Sequence, residues 1–192
     1  MKYDIIYADP PWNYDDKALS GKRGAGCKYM TQSTAWLMSL PVGKIAKENS
    51  VLFMWVTMPK LNECFEIIKA WGFEYKTCAF TWVKRNRQSR TWFMGMGSWT
   101  RANAELCLLA TKGKPKRINA GISQIIDTAI EGHSRKPIEV RERIEKLMGG
   151  GMNKIELFAR ERNELFNEYE GWDVWGNEIK SDITLNTKEE MK

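Results

Sequence analysis

The chain predicts an α/β domain with a mainly parallel sheet and helices on both faces. Two features carry that expectation. Short apolar runs rich in β-formers alternate with segments whose apolar residues recur at helical spacing, a pattern that builds parallel strands joined by crossover helices. The 192 residues also suffice for one domain with a substantial core and are short for two. Residues 1–180 are therefore read as that domain, and 181–192 as a polar, frayed tail.

Residues 3–8 form the first strand, closed by Asp9-Pro10-Pro11 because proline cannot continue a central strand. Residues 13–28, rich in glycine and lysine and without apolar period, read as a mobile loop. Ser33 or Thr34 caps a helix running to about Leu40. Residues 50–56 make a continuous apolar strand. Residues 60–71 follow as a helix with Leu61, Cys64, Phe65, Ile68 and Trp71 on one face, stopped by Gly72. Strands at 75–83 and 104–111 flank a basic loop. Pro137 opens a helix with Ile138, Val140, Ile144 and Leu147 on one side, ended by Gly149-Gly150-Gly151, and 155–159 is the last strand. Residues 118–131 have no firm period and read as loop with a short helix.

Composition narrows the function classes. No apolar run approaches the roughly 20 residues of a membrane span, and the first residues have no leader pattern, so a cytoplasmic protein is expected. Four cysteines lie far apart without a CxxC pair and His133 is the single histidine, which argues against a zinc site. The net charge of +6 is concentrated: between Lys84 and Arg117 nine cations face Glu105 alone, leaving the rest slightly acidic. With Trp92, Phe93 and Trp99 interleaved, that segment suits a polyanion whose bases can stack, although basic runs are often only solvated loops.

The chemistry is expected at Asp9-Pro10-Pro11-Trp12, because ligands of open α/β sheets bind outside the carboxyl ends of strands. Adenine's N6 amine is a weak nucleophile, its lone pair delocalised into the ring. A methylating enzyme must hold both amino hydrogens so that the nitrogen is drawn toward tetrahedral geometry, which takes two neighbouring acceptors. The Asp9 carboxylate supplies one, and the Pro10 carbonyl, stiffened by Pro11, supplies the other. Trp12 offers an aromatic face to the base. The bland alternative is a strand-ending Pro-Pro turn with a core tryptophan.

Further blocks follow in order: residues 52–57 (LFMWVT), 82–84 (WVK), Glu105 within 104–108, 133–137 (HSRKP), 154–160 (KIELFAR), then Gly171-Trp172 and 176–178 (GNE). Over about residues 4–179 the chain thereby resembles the nucleic-acid adenine N6-methyltransferases that include the catalytic subunit of the eukaryotic messenger-RNA methyltransferase and many bacterial and phage members. The resemblance implies a Rossmann-like class I S-adenosylmethionine-dependent methyltransferase fold, circularly permuted so that the catalytic motif precedes the cofactor motif. It implies S-adenosylmethionine as cofactor, S-adenosylhomocysteine as product, and no metal. Cofactor contacts would fall on Asp9, Lys136, Phe158, Arg160, Asn163, Asn177 and Glu178, with Lys136 meeting the cofactor carboxylate. The acceptor side would comprise Tyr29, Trp55, Trp82 and Glu105, with Lys84, Arg85, Arg87 and Arg90 toward the phosphates. Trp55 and Trp82 are equally readable as core tryptophans.

Two departures bear on the carry-over. Ala159 stands where the family often has glycine, and residues 165–170 add length after Asn163. The expected substrate is DNA, with RNA as the alternative, and no membrane partner; a homodimer or a partner subunit would supply what the loops lack in target recognition. A different class, a non-catalytic nucleic-acid-binding partner of an active enzyme, is disfavoured by the intact Asp9 and Lys136. A cytosine N4 enzyme would use the same pair of acceptors.

Overall fold

The computed structural model describes residues 1–13, 15–16, 23–24, 31–95, 97, 99–131, 135–160 and 169–186, the pairs 15–16 and 23–24 by backbone only. Tyr29, His133 and Asn163 lie outside the described residues.

The first strand, β1 (Tyr3–Ala8), is followed by a separate two-residue ladder of β2 (Asp15–Asp16) with β3 (Arg23–Gly24). Helix α1 (Thr34–Ser39) starts on Ser33, whose Oγ accepts the Trp36 amide hydrogen at 3.1 Å, satisfying one of the helix's orphan donors. After the single turn α2 (Val42–Ile45) come β4 (Ala46–Val56), α3 (Leu61–Ala70), β5 (Glu74–Arg85), β6 (Ala104–Lys112), β7 (Ile125–Ala129), α4 (Glu139–Met148), β8 (Lys154–Leu157) and β9 (Asp173–Trp175).

Seven strands form one sheet in the order β7-β5-β6-β4-β1-β8-β9. β1 pairs parallel with β4 and β8, β8 with β9, and β5 with β7, whereas β6 runs antiparallel to both β4 and β5. Six strands therefore point one way and β6 the other. Strand parity then sorts the core into two layers. Ile6, Leu52, Met54 and Leu157 pack under α1 and α3 with Leu37, Ile67, Ile68 and Trp71. Ile5, Tyr7, Phe53, Trp55, Phe80 and Trp82 pack under α4 with Val140 and Ile144. Because both faces are covered, residues 50–56 of β4 are all buried, which is why that run reads as unbroken apolar sequence. Each such Ile, Leu or Val contributes about 1.5–3 kcal/mol by leaving water.

Four expectations are corrected. Residues 118–131 hold β7, an edge strand with only Ile126 buried, so no apolar period marks it. β9 adds a strand after 155–159. Phe65 turns outward against Tyr75, leaving Cys64, Ile67 and Ile68 as the buried face of α3. The tail expected from residue 181 is packed as far as Leu185, which is buried, and Asp182 exchanges hydrogen bonds with the backbone of Val174. Among the described residues no helix is long and apolar enough to cross a membrane.

Candidate active site

The carboxyl ends of β1, β4, β5, β7, β8 and β9 share one rim, and the reversed β6 enters there with its amino end. That reversal carries Glu105, the second residue of β6, to the rim opposite Trp82 of β5. Asp9 follows β1 directly, and Lys136 arrives just ahead of α4. Residues separated by up to 127 positions thus meet.

Lys136 Nζ lies 2.9 Å from each carboxylate oxygen of Asp9 and 3.2 Å from Glu105 Oε2. The other Glu105 oxygen takes Lys84 Nζ at 2.5 Å. The Lys136 side chain is only 7% exposed, and the four groups, two acids and two bases, cancel, as buried charges must if they are to stay ionised. Burial by itself would raise the Glu105 carboxyl, but Lys136 and Lys84 outweigh it and hold the group down at about 2. Burial likewise works against the Lys136 ammonium, and Asp9 and Glu105 push it above the ordinary lysine range.

Beneath these charges lies an aromatic floor. Lys136 Nζ stands 5.5 Å from the Trp55 ring centre, and Lys84 Nζ 4.9 Å from that of Trp82. The two indoles meet edge to face at 6.4 Å. Trp55 Nε1 donates to the Tyr7 hydroxyl at 2.6 Å, and Trp82 Nε1 to the Thr128 carbonyl oxygen at 3.3 Å. Both tryptophans are core residues and site floor at once. Tyr7 is not among the residues expected here; its one signal in the sequence is its place two before Asp9, on the same side of β1.

The catalytic loop is fastened at three points. The Trp12 amide donates to the Pro10 carbonyl at 2.8 Å, the Gln32 amide to that of Pro11 at 3.0 Å, and Trp12 Nε1 to the Trp55 carbonyl at 3.1 Å. Trp12 is 3% exposed and belongs to the layer under α1 and α3. The expected aromatic face toward a base is therefore corrected: the turn closed on Pro10 sends the indole back into the core, where it anchors the loop.

Across the rim, Phe158 leaves β8 with φ 63°, a left-handed conformation that costs a phenylalanine on the order of 1 kcal/mol and is held by packing between Trp71 and Trp175. The Ala159 amide donates to the Trp175 carbonyl at 3.0 Å. A Cβ on Gly176 would stand 2.1 Å from the Ala159 oxygen, so the two strand ends approach closely only because residue 176 is glycine. The Arg160 backbone bridges to Glu178, the Tyr169 hydroxyl donates to the Arg160 carbonyl, and Asn177 and Glu178 stand exposed at the rim.

The basic segment does not form one patch. β6 runs down its middle, so Lys84, Arg85, Arg87, Arg90 and Arg101 lie on the catalytic rim while Lys112, Lys114, Lys116 and Arg117 lie at the opposite end of the sheet, roughly 25–30 Å away at about 3.3 Å per residue. Arg85 is committed within the fold: it pairs with both oxygens of Asp127, at 2.5 and 2.6 Å, and stacks 3.8 Å from the Trp92 ring centre. Arg87 Nε donates to the Ile130 carbonyl, and Arg90 is exposed. Among the described residues no group of three or more His, Cys, Asp or Glu is placed to hold a metal.

Comparison with known proteins agrees with this geometry. The family model MT-A70 matches residues 3–178. The type II methyltransferase M.MunI of a Mycoplasma species is 34% identical over 209 residues, covering 99% of this chain and 84% of that protein. The human N(6)-adenosine-methyltransferase catalytic subunit METTL3 is 31% identical over 93% of this chain, which spans 28% of that protein's length. The mouse N(6)-adenine-specific methyltransferase METTL4 is 26% identical over 92% of this chain and 37% of its own. With the family match running from the first strand to the Asn177-Glu178 turn, the chain belongs to the MT-A70 family of adenine N6-methyltransferases.

Proposed function

We propose that this protein is a cytoplasmic enzyme that methylates the N6 amine of adenine in DNA, with residues 1–180 as one catalytic unit of circularly permuted Rossmann-like topology. The observation that carries the reading is the Asp9–Lys136–Glu105 arrangement on the tryptophan floor. In it both Asp9 oxygens are held by Lys136, which supports a carboxylate fixed in orientation beside the Pro10 carbonyl.

S-adenosylmethionine fits the groups present. At β1 the connections pass to opposite faces, α1 and α2 on one and α4 on the other, which makes a crevice at the carboxyl ends of β1 and β8. Around it stand exposed amide and acid groups at Asn177 and Glu178 for ribose hydroxyls and a base edge, and Lys136 would meet the cofactor carboxylate by exchanging one of its bonds to Asp9 or Glu105. Phe158 and Arg160 border it, and the close Gly176–Ala159 approach keeps it open. Asn163 is proposed on the family motif alone. When bound, S-adenosylmethionine supplies an electrophilic methyl group.

The protein's part is orientation. Asp9 accepts one amino hydrogen and the free lone pair of the Pro10 carbonyl the other, so the nitrogen lone pair points away from the ring and in line with the methyl. Positive charge that would develop on the amine as it accepts the methyl group would lie beside the Asp9 carboxylate, and the amine's surplus proton would pass to solvent. Lys136, itself held by Glu105, fixes the Asp9 carboxylate in place, while Trp55 and Trp82 exclude water below it. Tyr29 is proposed on the acceptor side on the family motif alone, and the base must be unstacked or flipped to enter. Arg87 and Arg90 meet phosphates, with Lys84 and Arg85 fixing the rim beneath them.

DNA is favoured over RNA because the chain spans most of a compact type II methyltransferase but about a quarter of the adenosine-methyltransferase subunit. Recognition beyond the loops would come from a second copy or a partner subunit. The test is to incubate purified protein with labelled S-adenosylmethionine and matched single-stranded DNA, duplex DNA and RNA, then identify the methylated nucleoside by mass. N6-methyladenine in DNA is expected. Methylation of RNA alone would overturn the substrate, methylcytosine the reaction, and cofactor that binds without transfer to any polymer would point to the non-catalytic reading.

A further inference from the structure

Between β5 and β6, the described residues of the connection, 86–95, 97 and 99–103, form a hydrogen-bonded stem and a bare tip. The stem is closed by the Phe93 amide on the Lys84 carbonyl, the Lys84 amide on the Asn103 carbonyl, and the Asn86 amide on the Thr91 carbonyl, at 2.8, 2.8 and 3.1 Å. Asn86 Nδ2 adds bonds to Thr91 and Trp92, and Arg85 clamps the Trp92 ring. The tip folds tightly on itself: a Cβ on Gly95 would lie 2.0 Å from the Ala102 oxygen, and one on Gly97 2.1 Å from the Thr100 oxygen. Out of this tip stands Trp99, 99% exposed. Trp92, the other exposed tryptophan, has its face under Arg85, so Trp99 is the indole left open to stack.

We infer that Trp99 is a stacking platform for an unpaired base of the nucleic-acid strand lying along the catalytic rim, an inference that deepens the proposed function and rests on it. Charge selects the occupant. Residues 84–103 carry Lys84, Arg85, Arg87, Arg90 and Arg101 and no acid, and Arg87, Arg90 and Arg101 are exposed around the tip. A second copy docking through this loop would bring like charges together in a self-complementary interface, whereas a polyanion with π faces satisfies cations and indole at once. A rigid stem also means that little ordering is needed on binding.

The test measures affinity by fluorescence anisotropy, with S-adenosylhomocysteine present, for a short oligothymidylate and for a fully abasic deoxyribose-phosphate oligomer of equal length. Trp99→Ala is expected to bind the oligothymidylate about tenfold more weakly, Trp99→Phe to retain most of the affinity, and neither to change binding of the abasic oligomer or the salt slope. Parent-like affinity of Trp99→Ala for the oligothymidylate would overturn the inference. So would an equal loss on both oligomers, or a parent dimer that Trp99→Ala dissociates in sedimentation. The readout needs no turnover, so a protein that stacks bases but methylates none would refute the proposed function alone.

Discussion

The two ends of the sheet carry similar numbers of cations and use them differently. At the catalytic rim Lys136 and Lys84 are locked against Asp9 and Glu105, and Arg85 against Asp127. At the opposite end Lys114, Lys116 and Arg117 stand in solvent, and Lys47 pairs with Asp4 in a bridge that leaves the lysine 41% exposed. Excess charge is thus a poor guide to a site. A cation sunk to 7% exposure between two carboxylates marks it better, although Arg141 and Glu156 form an equally buried pair that serves the packing of α4 on β8.

The largest difference between the two ends should appear in turnover. Asp9→Ala is expected to lower the single-turnover methyl-transfer rate by about a hundredfold to a thousandfold, the scale of losing one preorganised polar group, with an unchanged circular dichroism spectrum. Lys116→Ala at the far end should leave that rate as it was; equal losses would break the contrast.

Stability should separate them next. Lys136→Met strips Asp9 of its cation and leaves Glu105 with Lys84 alone, and should destabilise the fold by about 3–5 kcal/mol in urea unfolding. Lys47→Met, breaking a half-exposed pair, should cost less than about 1 kcal/mol. A third contrast is acid sensitivity. Glu105 is held at about 2, below its ordinary 4.5, so its contribution is present above pH 4.5 and is lost as pH falls toward 2. Urea titrations across that window should show parent stability dropping more steeply than that of Glu105→Gln. The smallest effect is electrostatic: replacing Arg87 and Arg90 by alanine should lower the salt slope of DNA binding by about 1 for each phosphate no longer neutralised, and replacing Lys114 and Lys116 should not.

What the sequence discloses tracks what local physics decides. β1 and its Pro-Pro stop, the Ser33 cap and the face of α4 through Val140 and Ile144 rest on neighbours in the chain, and the structure has all of them. β7 escapes because an edge strand with one buried residue leaves no period, and β9 because three residues are too few. The resemblance singles out Asp9, Lys136 and Glu105 one by one, with Lys136 toward the cofactor, but their ion pairs with one another are not legible, since contacts across more than a hundred residues have no local signature. Trp12 misleads for a related reason: a tryptophan after two prolines can face outward or in, and only the Trp55 carbonyl, set by β4, decides. The basic segment reads as continuous because a nine-residue strand in its middle separates its halves in space but not in sequence.

The reversal of β6 has a consequence for how such a protein can change. Had the strand directly after β5 run parallel to it, the chain would have needed a crossover connection over the sheet, and any alteration of that connection would disturb the core. A hairpin connection crosses neither face of the sheet, its Arg87 reaching only the Ile130 carbonyl beyond β7, and each doubling of its length costs only about 0.6 kcal/mol in closure entropy. The segment from residue 86 to residue 103 is therefore a replaceable cassette, mounted on the same two strands that present Trp82 and Glu105. Its length and sequence can change with little effect on the strands that carry Trp82 and Glu105.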